Sequence, residues 1–125
     1  MAARLHPAPA RHPELVDLRL ISARDLESLL EEECAAWRNE LEWDFEKSAD
    51  LVRRFVEMRA LNGSALIVDD EMAGYMYFVL EEDKGLIGDI YVRRDLRTVQ
   101  YENLLIEAAL GHMMHSPGVT RIESQ

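Results

Sequence analysis

The sequence predicts one α/β domain, an α+β arrangement around a single mixed sheet with the element order β-α-α-β-β-β-α-β. Short runs with an apolar residue at every second position indicate strands. Apolar residues at every third or fourth position indicate amphipathic helices. Two tight turns join the middle strands as hairpins, whereas a whole helix separates the last two strands, which therefore lie parallel. The predicted sheet is thus antiparallel in its middle and parallel at one edge.

The first half of the chain is predicted to form one strand and two helices. Residues 16–21 alternate apolar and polar side chains, as a half-buried strand does. Ser22 is a helix N-cap, and a second helix starts near Ser48 and ends at the Asn-Gly pair of residues 62–63. The stripe that turns the first helix toward the core consists of Leu26, Leu29, Leu30, Cys34, Trp37 and Leu41.

The second half is predicted to form the rest of the sheet and a third helix. Residues 64–68 and 72–81 form a hairpin, and a second turn leads to a strand at 86–92. The strand at 72–81 is apolar on both faces, so helices must cover both sides of the sheet. The third helix has its apolar positions between residues 99 and 113, and residues 119–124 begin the last strand.

The composition fits one soluble domain with a single core. The chain has 125 residues, and no apolar run approaches the ~20 residues that a membrane-spanning helix requires. Residues 1–14 hold prolines and histidines but no apolar segment typical of a secretory signal. They are predicted to form a flexible tail ahead of a domain at 15–125, with the cytoplasm as the expected compartment and no membrane partner.

Charge and cysteine content exclude several classes of function. A formal net charge of −10 repels phosphodiester backbones, so nucleic acid is not an expected partner. The same charge suits a cationic amine substrate, although acidic surfaces also serve solubility. Cys34 is the only cysteine, which excludes an internal disulfide and a multi-cysteine zinc site. His112 and His115 lie near a helix C-terminus, where they complement the helix dipole, and no metal is predicted.

The stretch that joins the strand at 86–92 to the third helix is the most informative motif. It reads Arg97-Thr98-Val99-Gln100-Tyr101-Glu102. Here the sequence resembles the GNAT superfamily of acetyl-CoA-dependent N-acetyltransferases, over about residues 16–125. In that family a loop of the form Arg/Gln-x-x-Gly-x-Gly/Ala holds the pyrophosphate of acetyl-CoA with its backbone amides. The first arginine and the flanking apolar residues match this form, whereas Gln100 and Glu102 occupy its glycine positions.

The resemblance implies a binding path for acetyl-CoA. The residues so implied are Ile90, Tyr91 and Val92 for the pantetheine and thioester, and Arg97, Thr98, Val99, Gln100, Tyr101 and Glu102 for the pyrophosphate. The amides of Gln100 and Tyr101 are the expected donors at the helix N-terminus. Glu102 has two interpretations, either an acid that repels the phosphates or an ordinary first-turn acid that complements the helix dipole.

One acidic residue is the candidate to activate the amine substrate. The resemblance implies a general base in or near the strand at 86–92, and Asp89 is the candidate there. The alternative is that Asp89 faces solvent or pairs with Arg93 or Arg94. Trp37 and Trp43 are candidates to line a substrate cleft, although Trp37 also fits the core stripe.

The function that the resemblance implies is transfer of an acetyl group from acetyl-CoA to an amine, by direct attack in a ternary complex. The alternative is a non-catalytic interaction or sensor module that dimerises through an open sheet edge. The family usually continues beyond the fifth strand with a helix and two more strands, so we expect either a fragment of a longer protein or completion by another subunit. The amine and the general acid are not predicted.

Overall fold

A computed structural model of the chain describes residues 12–124, which form a sheet with helices on both faces. The strands are β1 (Pro13–Asp17), β2 (Asn62–Val68), β3 (Glu71–Glu81), β4 (Lys84–Val92) and β5 (Arg121–Ser124). The helices are α1 (Ala23–Leu41), α2 (Glu46–Glu57) and α3 (Val99–Met114), with short 3-10 turns at Leu18–Leu20 and Arg94–Leu96. The predicted element order is confirmed.

The strands follow one another across the sheet in sequence order. β1, β2, β3 and β4 pair antiparallel with their neighbours, and β4 pairs parallel with β5 across the α3 connection. The prediction of a mixed sheet with one parallel edge is therefore confirmed. None of the helices within residues 12–124 is long and apolar enough to cross a membrane.

The sheet separates two apolar cores, and β3 supplies both. Tyr75 lies in the core under α1 and α2, whereas the next residue, Met76, lies in the core under α3. Successive side chains of a strand point to opposite faces, so a central strand covered on both sides is apolar throughout. The prediction that helices cover both faces of this strand is confirmed from Ala73 to Phe78, and the strand becomes exposed beyond that point.

A capping box starts α1, as the sequence indicates. Ser22 Oγ accepts from the backbone N–H of Asp25 at 3.3 Å, and Asp25 Oδ2 accepts from the backbone N–H of Ser22 at 2.9 Å. The predicted core stripe of this helix is right up to Cys34 and wrong at Leu41, which is 62% exposed. An unpredicted residue, Glu33, takes a fully buried place on the same face.

Three element boundaries differ from the sequence prediction. β1 starts at Pro13 and ends at Asp17, because Asp17 Oδ1 accepts from the backbone N–H of Arg19 at 2.9 Å and turns the chain. Residues 13–14 of the predicted tail therefore belong to a strand, and residues 1–11 lie outside the described part. α2 begins after Phe45, which packs in the core, and not near Ser48.

The Asn-Gly pair at residues 62–63 is not a helix stop. It lies in β2 and pairs with β3, while Arg59, with φ of 54°, is the left-handed residue that follows α2. Gly63 serves close approach, since a Cβ there would lie 2.1 Å from the carbonyl oxygen of Met76 and 2.7 Å from Cδ1 of Leu18. Pairing with β3 thus overrides the local turn preference.

We expect Gly63→Ala to lower the free energy of unfolding by about 1–3 kcal/mol, because backbone atoms of β3 must move to admit the methyl group. Gly111→Ala in α3 is the matched control, since nothing lies within 4 Å of its added Cβ and alanine favours a helix. Urea denaturation of both variants measures the difference. Equal stabilities would contradict the close-approach argument.

Candidate functional site

A β-bulge in β4 shapes the sheet face that carries Asp89. Tyr77 of β3 pairs with Asp89, but the next residue, Phe78, pairs with Ile87, so Gly88 is an extra residue opposite β3. A Cβ at Gly88 would lie 2.1 Å from Cε2 of Tyr77, so the glycine leaves space for that ring. Bulges redirect neighbouring side chains. This one lies directly beside Asp89, which forms a hydrogen bond on the α1 side of the sheet.

A cleft of about 530 Å³ lies between β4 and the end of α1. Its lining is largely aromatic and apolar, with one carboxylate. The lining residues are Trp37, Trp43, Phe45, Ser48, Tyr77, Ile87, Gly88, Asp89 and Ile90. Both candidate tryptophans therefore line a cleft, together with the candidate base. A concave apolar cleft with few polar groups is the usual form of a small-molecule site.

Three aromatic rings form one wall of this cleft. The ring centroids of Trp37 and Trp43 lie 5.1 Å apart at 74°, and those of Trp43 and Phe45 lie 5.5 Å apart at 73°. Both pairs have the edge-to-face geometry that aromatic rings prefer. Glu42, in the left-handed region with φ of 51°, turns the chain after α1 and brings Trp43 back to Trp37. The wall is therefore built by the turn between α1 and α2.

A chain of hydrogen bonds runs from Asp89 to the buried side of α1. The Tyr75 hydroxyl oxygen lies 2.9 Å from Asp89 Oδ2 and 2.5 Å from Glu33 Oε1. Trp37 Nε1 donates to Glu33 Oε2 at 3.1 Å. Glu33 is 0% exposed, so a single tyrosine hydroxyl joins a fully buried carboxyl group to one at the cleft.

The protonation of this chain follows from burial. Burial, with Asp89 nearby, raises the pKa of Glu33 to about 9, and burial also raises the pKa of Tyr75 well above its ordinary value. Tyr75 has one hydroxyl proton and cannot donate to two carboxylates. A neutral Glu33 resolves the conflict, because it donates to the Tyr75 oxygen while Tyr75 donates to Asp89. Asp89 is then the hydrogen-bond acceptor at the cleft end of this chain.

The alternative pairing of Asp89 with an arginine is wrong. Arg93 pairs with Glu71 at 3.4 Å and with Asp95 at 3.2 Å. Arg94 pairs with Glu40 at 2.7 Å. No arginine neutralises Asp89 among residues 12–124, and its hydrogen-bond partner there is Tyr75.

The predicted pyrophosphate loop is the start of α3. Thr98 is the N-cap, and its Oγ1 accepts from the backbone N–H of Tyr101 at 3.1 Å. The N–H of Glu102 donates to the backbone oxygen of Thr98, also at 3.1 Å. Thr98 therefore engages the Tyr101 amide in this structure, and the role of that amide in binding pyrophosphate stays a prediction. Within the described chain, the amides of Val99 and Gln100 are the first-turn donors left for a ligand.

The side chains of the loop do not converge on the Asp89 cleft. Arg97 Nη2 donates to the carbonyl oxygen of Val92 at 3.1 Å, and its guanidinium lies 5.2 Å from the ring centroid of Tyr91. The Tyr101 side chain is buried in the core under α3. Val99 and Gln100 line a separate depression of about 430 Å³ on the surface of α3.

The edge of β4 beside the cleft is only partly paired. β5 pairs with Lys84 to Ile87, so over residues 12–124 the stretch from Gly88 to Val92 has ladder partners on the β3 side alone. The side chains of Tyr91 and Val92 are buried in the two cores, and Ile90 lines the cleft. This stretch therefore offers a ligand main-chain groups, as a strand edge does.

Sequence reasoning missed Glu33, Tyr75 and Tyr77. One signal for Glu33 was available, because it lies four residues after Leu29 and three after Leu30, on the apolar stripe. An acid on such a stripe indicates a buried carboxyl group with specific partners. The two tyrosines belong to the apolar strand predicted at 72–81, and the places of Tyr75 opposite Tyr91 and of Tyr77 opposite Asp89 depend on register.

Several solved structures that match this architecture are acetyltransferases. The ribosomal-protein-alanine N-acetyltransferase from Brucella melitensis matches with a TM-score of 0.63 at 19% identity, over 93% of this chain and 79% of its own. The PaiA N-acetyltransferase from Thermoplasma acidophilum, in complex with coenzyme A, matches with a TM-score of 0.64 at 18% identity. That match covers 82% of this chain and 72% of the other. A GNAT-family acetyltransferase from Streptococcus pneumoniae matches with a TM-score of 0.63 at 10% identity, over 91% of this chain and 75% of its own. This chain has the GNAT fold.

The GNAT fold of this chain is established by structural likeness alone. No family model matches the sequence, and neither does any curated protein. At identities of 10–19% the likeness establishes the architecture and not the substrate. Function must therefore be argued from the cleft, from Asp89 and from the start of α3. Within residues 12–124 no cluster of three metal-ligating side chains is present.

Proposed function

We propose that this protein transfers an acetyl group from acetyl-CoA to a primary amine by direct attack in a ternary complex. The observation that carries the proposal is the Asp89 carboxyl group, held by Tyr75, in an aromatic cleft beside a stretch of β4 that β5 does not pair. The amine nitrogen attacks the thioester carbon, the carbon–sulfur bond breaks, and CoA leaves as a thiolate that takes up a proton. No covalent enzyme intermediate is needed.

Asp89 is the proposed general base. An amine reaches the enzyme protonated at neutral pH and must lose protons to attack, so a carboxylate within about 2.6–3.2 Å of the nitrogen is required. Tyr75 engages Oδ2 of Asp89, which leaves Oδ1 for the amine. Cys34, the only thiol, is buried, and burial raises its pKa to about 11, which makes it a poor nucleophile.

The residues present fit the binding of acetyl-CoA in outline. The amides of Val99 and Gln100 at the N-terminus of a 16-residue helix suit a pyrophosphate, and the main chain from Ile90 to Val92 suits the pantetheine. Bound acetyl-CoA supplies the thioester. Glu102 lies in the first turn of α3, where its carboxylate opposes an anion.

We expect Glu102→Gln to bind CoA about twofold to fivefold more tightly than wild type, because it removes a charge comparable to the helix-terminal effect of 0.3–1 kcal/mol. Isothermal titration with CoA measures the change. Glu31→Gln, an exposed acid of α1 on the other side of the sheet, is the control and should leave affinity unchanged. If removal of the Glu102 charge leaves binding unchanged or weaker, the pyrophosphate is not at this helix N-terminus.

The proposed function is tested by the release of free CoA thiol from acetyl-CoA in the presence and absence of primary amines. Amine-dependent release supports the transferase. The alternative module, which dimerises through an open sheet edge, predicts a dimer in size exclusion that neither binds CoA nor releases thiol. Gln100 and Glu102 at the family's glycine positions are the observation in its favour.

A further inference from the structure

The cleft holds one charge, and that charge is negative. Of the residues that line it, Asp89 is the single acidic residue, Ser48 adds a hydroxyl, and none is lysine, arginine or histidine. A ligand that fits must therefore bring one positive charge and little else that needs a counterion, because a buried charge without a partner is costly. The formal net charge of −10 favours the approach of such a cation.

The walls of the cleft are suited to a flat apolar body. Trp37, Trp43 and Phe45 form the aromatic wall, and Tyr77 lies opposite Asp89 on the neighbouring strand. Trp43 is 47% exposed although it belongs to this wall, so a ligand can cover apolar surface that the fold leaves open. The cleft, at about 530 Å³, is within the size range of small-molecule sites.

We propose that the acceptor amine is a primary monoamine with an aromatic body, whose ammonium pairs with Asp89 and whose ring lies against Trp43 and Tyr77. This proposal rests on the proposed function and narrows its substrate class. The same cleft disfavours polyamines and amino acids. A second ammonium would find no second carboxylate among the lining residues, and a substrate carboxylate would meet Asp89 with no cation to balance it.

Intrinsic fluorescence provides a direct test, because Trp37 and Trp43 are the only tryptophans in the sequence and both line the cleft. The protein is titrated, with and without saturating CoA, with 2-phenylethylamine, 2-phenylethanol, ethylamine, phenylalanine and spermidine. Isothermal titration of the same five compounds gives affinities that do not depend on a fluorescence change. We expect 2-phenylethylamine to bind at least about tenfold more tightly than each of the others.

Two variants separate the contributions of charge and ring. Asp89→Asn should weaken the binding of 2-phenylethylamine about tenfold and leave the binding of 2-phenylethanol unchanged. Trp43→Ala should weaken the binding of both compounds. Circular dichroism confirms that each variant is folded, and Glu107→Gln is the control outside the cleft. Equal or tighter binding of spermidine or phenylalanine, or no preference for 2-phenylethylamine in either titration, overturns the proposal.

The outcome is separable from the fate of the proposed function. If 2-phenylethylamine binds selectively but no thiol is released from acetyl-CoA, the cleft is an arylalkylamine site and the proposed acetyl transfer is wrong. If spermidine drives thiol release while 2-phenylethylamine does not, the transferase stands and the acceptor class is wrong. Selective binding together with 2-phenylethylamine-dependent release supports both.

Discussion

Glu33→Gln is expected to raise the free energy of unfolding at pH 7 by about 3 kcal/mol. In the folded chain burial holds the pKa of Glu33 at about 9, whereas its ordinary value is 4.5. At pH 7 the folded protein must therefore keep a proton that the unfolded chain releases, at a cost of about 1.4 kcal/mol for each pH unit above the unfolded pKa. Glutamine is neutral in both states. It also retains an acceptor for Trp37 Nε1 and a donor for the Tyr75 oxygen.

The sign of this effect can be checked by its pH dependence. The raised pKa contributes stability that is fully present below pH 4.5 and is lost as the pH rises toward 9. Urea denaturation between pH 5 and pH 8.5 should therefore show that Glu33→Gln raises the free energy of unfolding relative to wild type, and that this difference grows with pH. Glu31→Gln, on the exposed side of the same helix, should change stability by less than about 0.5 kcal/mol. A variant less stable than wild type at pH 7 would mean that Glu33 is ionised and supports the fold.

Asp89→Asn is expected to lower kcat for acetyl transfer about 10²- to 10⁴-fold, the usual contribution of a general base. The amide retains an oxygen that accepts from Tyr75, so the fold and CoA affinity should be unchanged. Thiol release under saturating acetyl-CoA and amine measures kcat. Asp83→Asn, in the turn before β4, is the control. A variant that retains its rate excludes Asp89 as the base.

The order of elements was predictable because it depends on local periodicity. The α1 cap at Ser22, the two hairpins and the parallel edge formed by β5 all follow from patterns within a few residues, and the structure confirms them. One error arises where a distant partner decides, since residues 62–63 have turn preference but pair with β3. The error at the end of β1 is local, because Asp17 accepts a hydrogen bond from Arg19 two residues later and turns the chain.

The candidate site was predictable only in part, because its geometry depends on register. Asp89 and the two tryptophans were identifiable as residue types, and the structure places them in one cleft. The hydrogen bonds of Tyr75 to Glu33 and Asp89 join residues 42 and 14 positions apart, which no local pattern reveals. The bulge at Gly88 was visible as a mid-strand glycine, but its effect on Asp89 requires knowledge of the β3 partner.

The division of the interior by the sheet has a consequence for how the protein can change over time. Met76, Leu105, Ala109 and Met113 pack on the face away from Asp89, so hydrophobic exchanges among them leave the carboxyl groups and rings of the cleft undisturbed. On the other face, Leu30 and Tyr75 belong to the core that also borders Glu33 and the cleft. We therefore expect substitutions in the core under α3 to disturb the cleft less than substitutions in the core under α1, except where Ile87 and Ile90 join that core to the cleft.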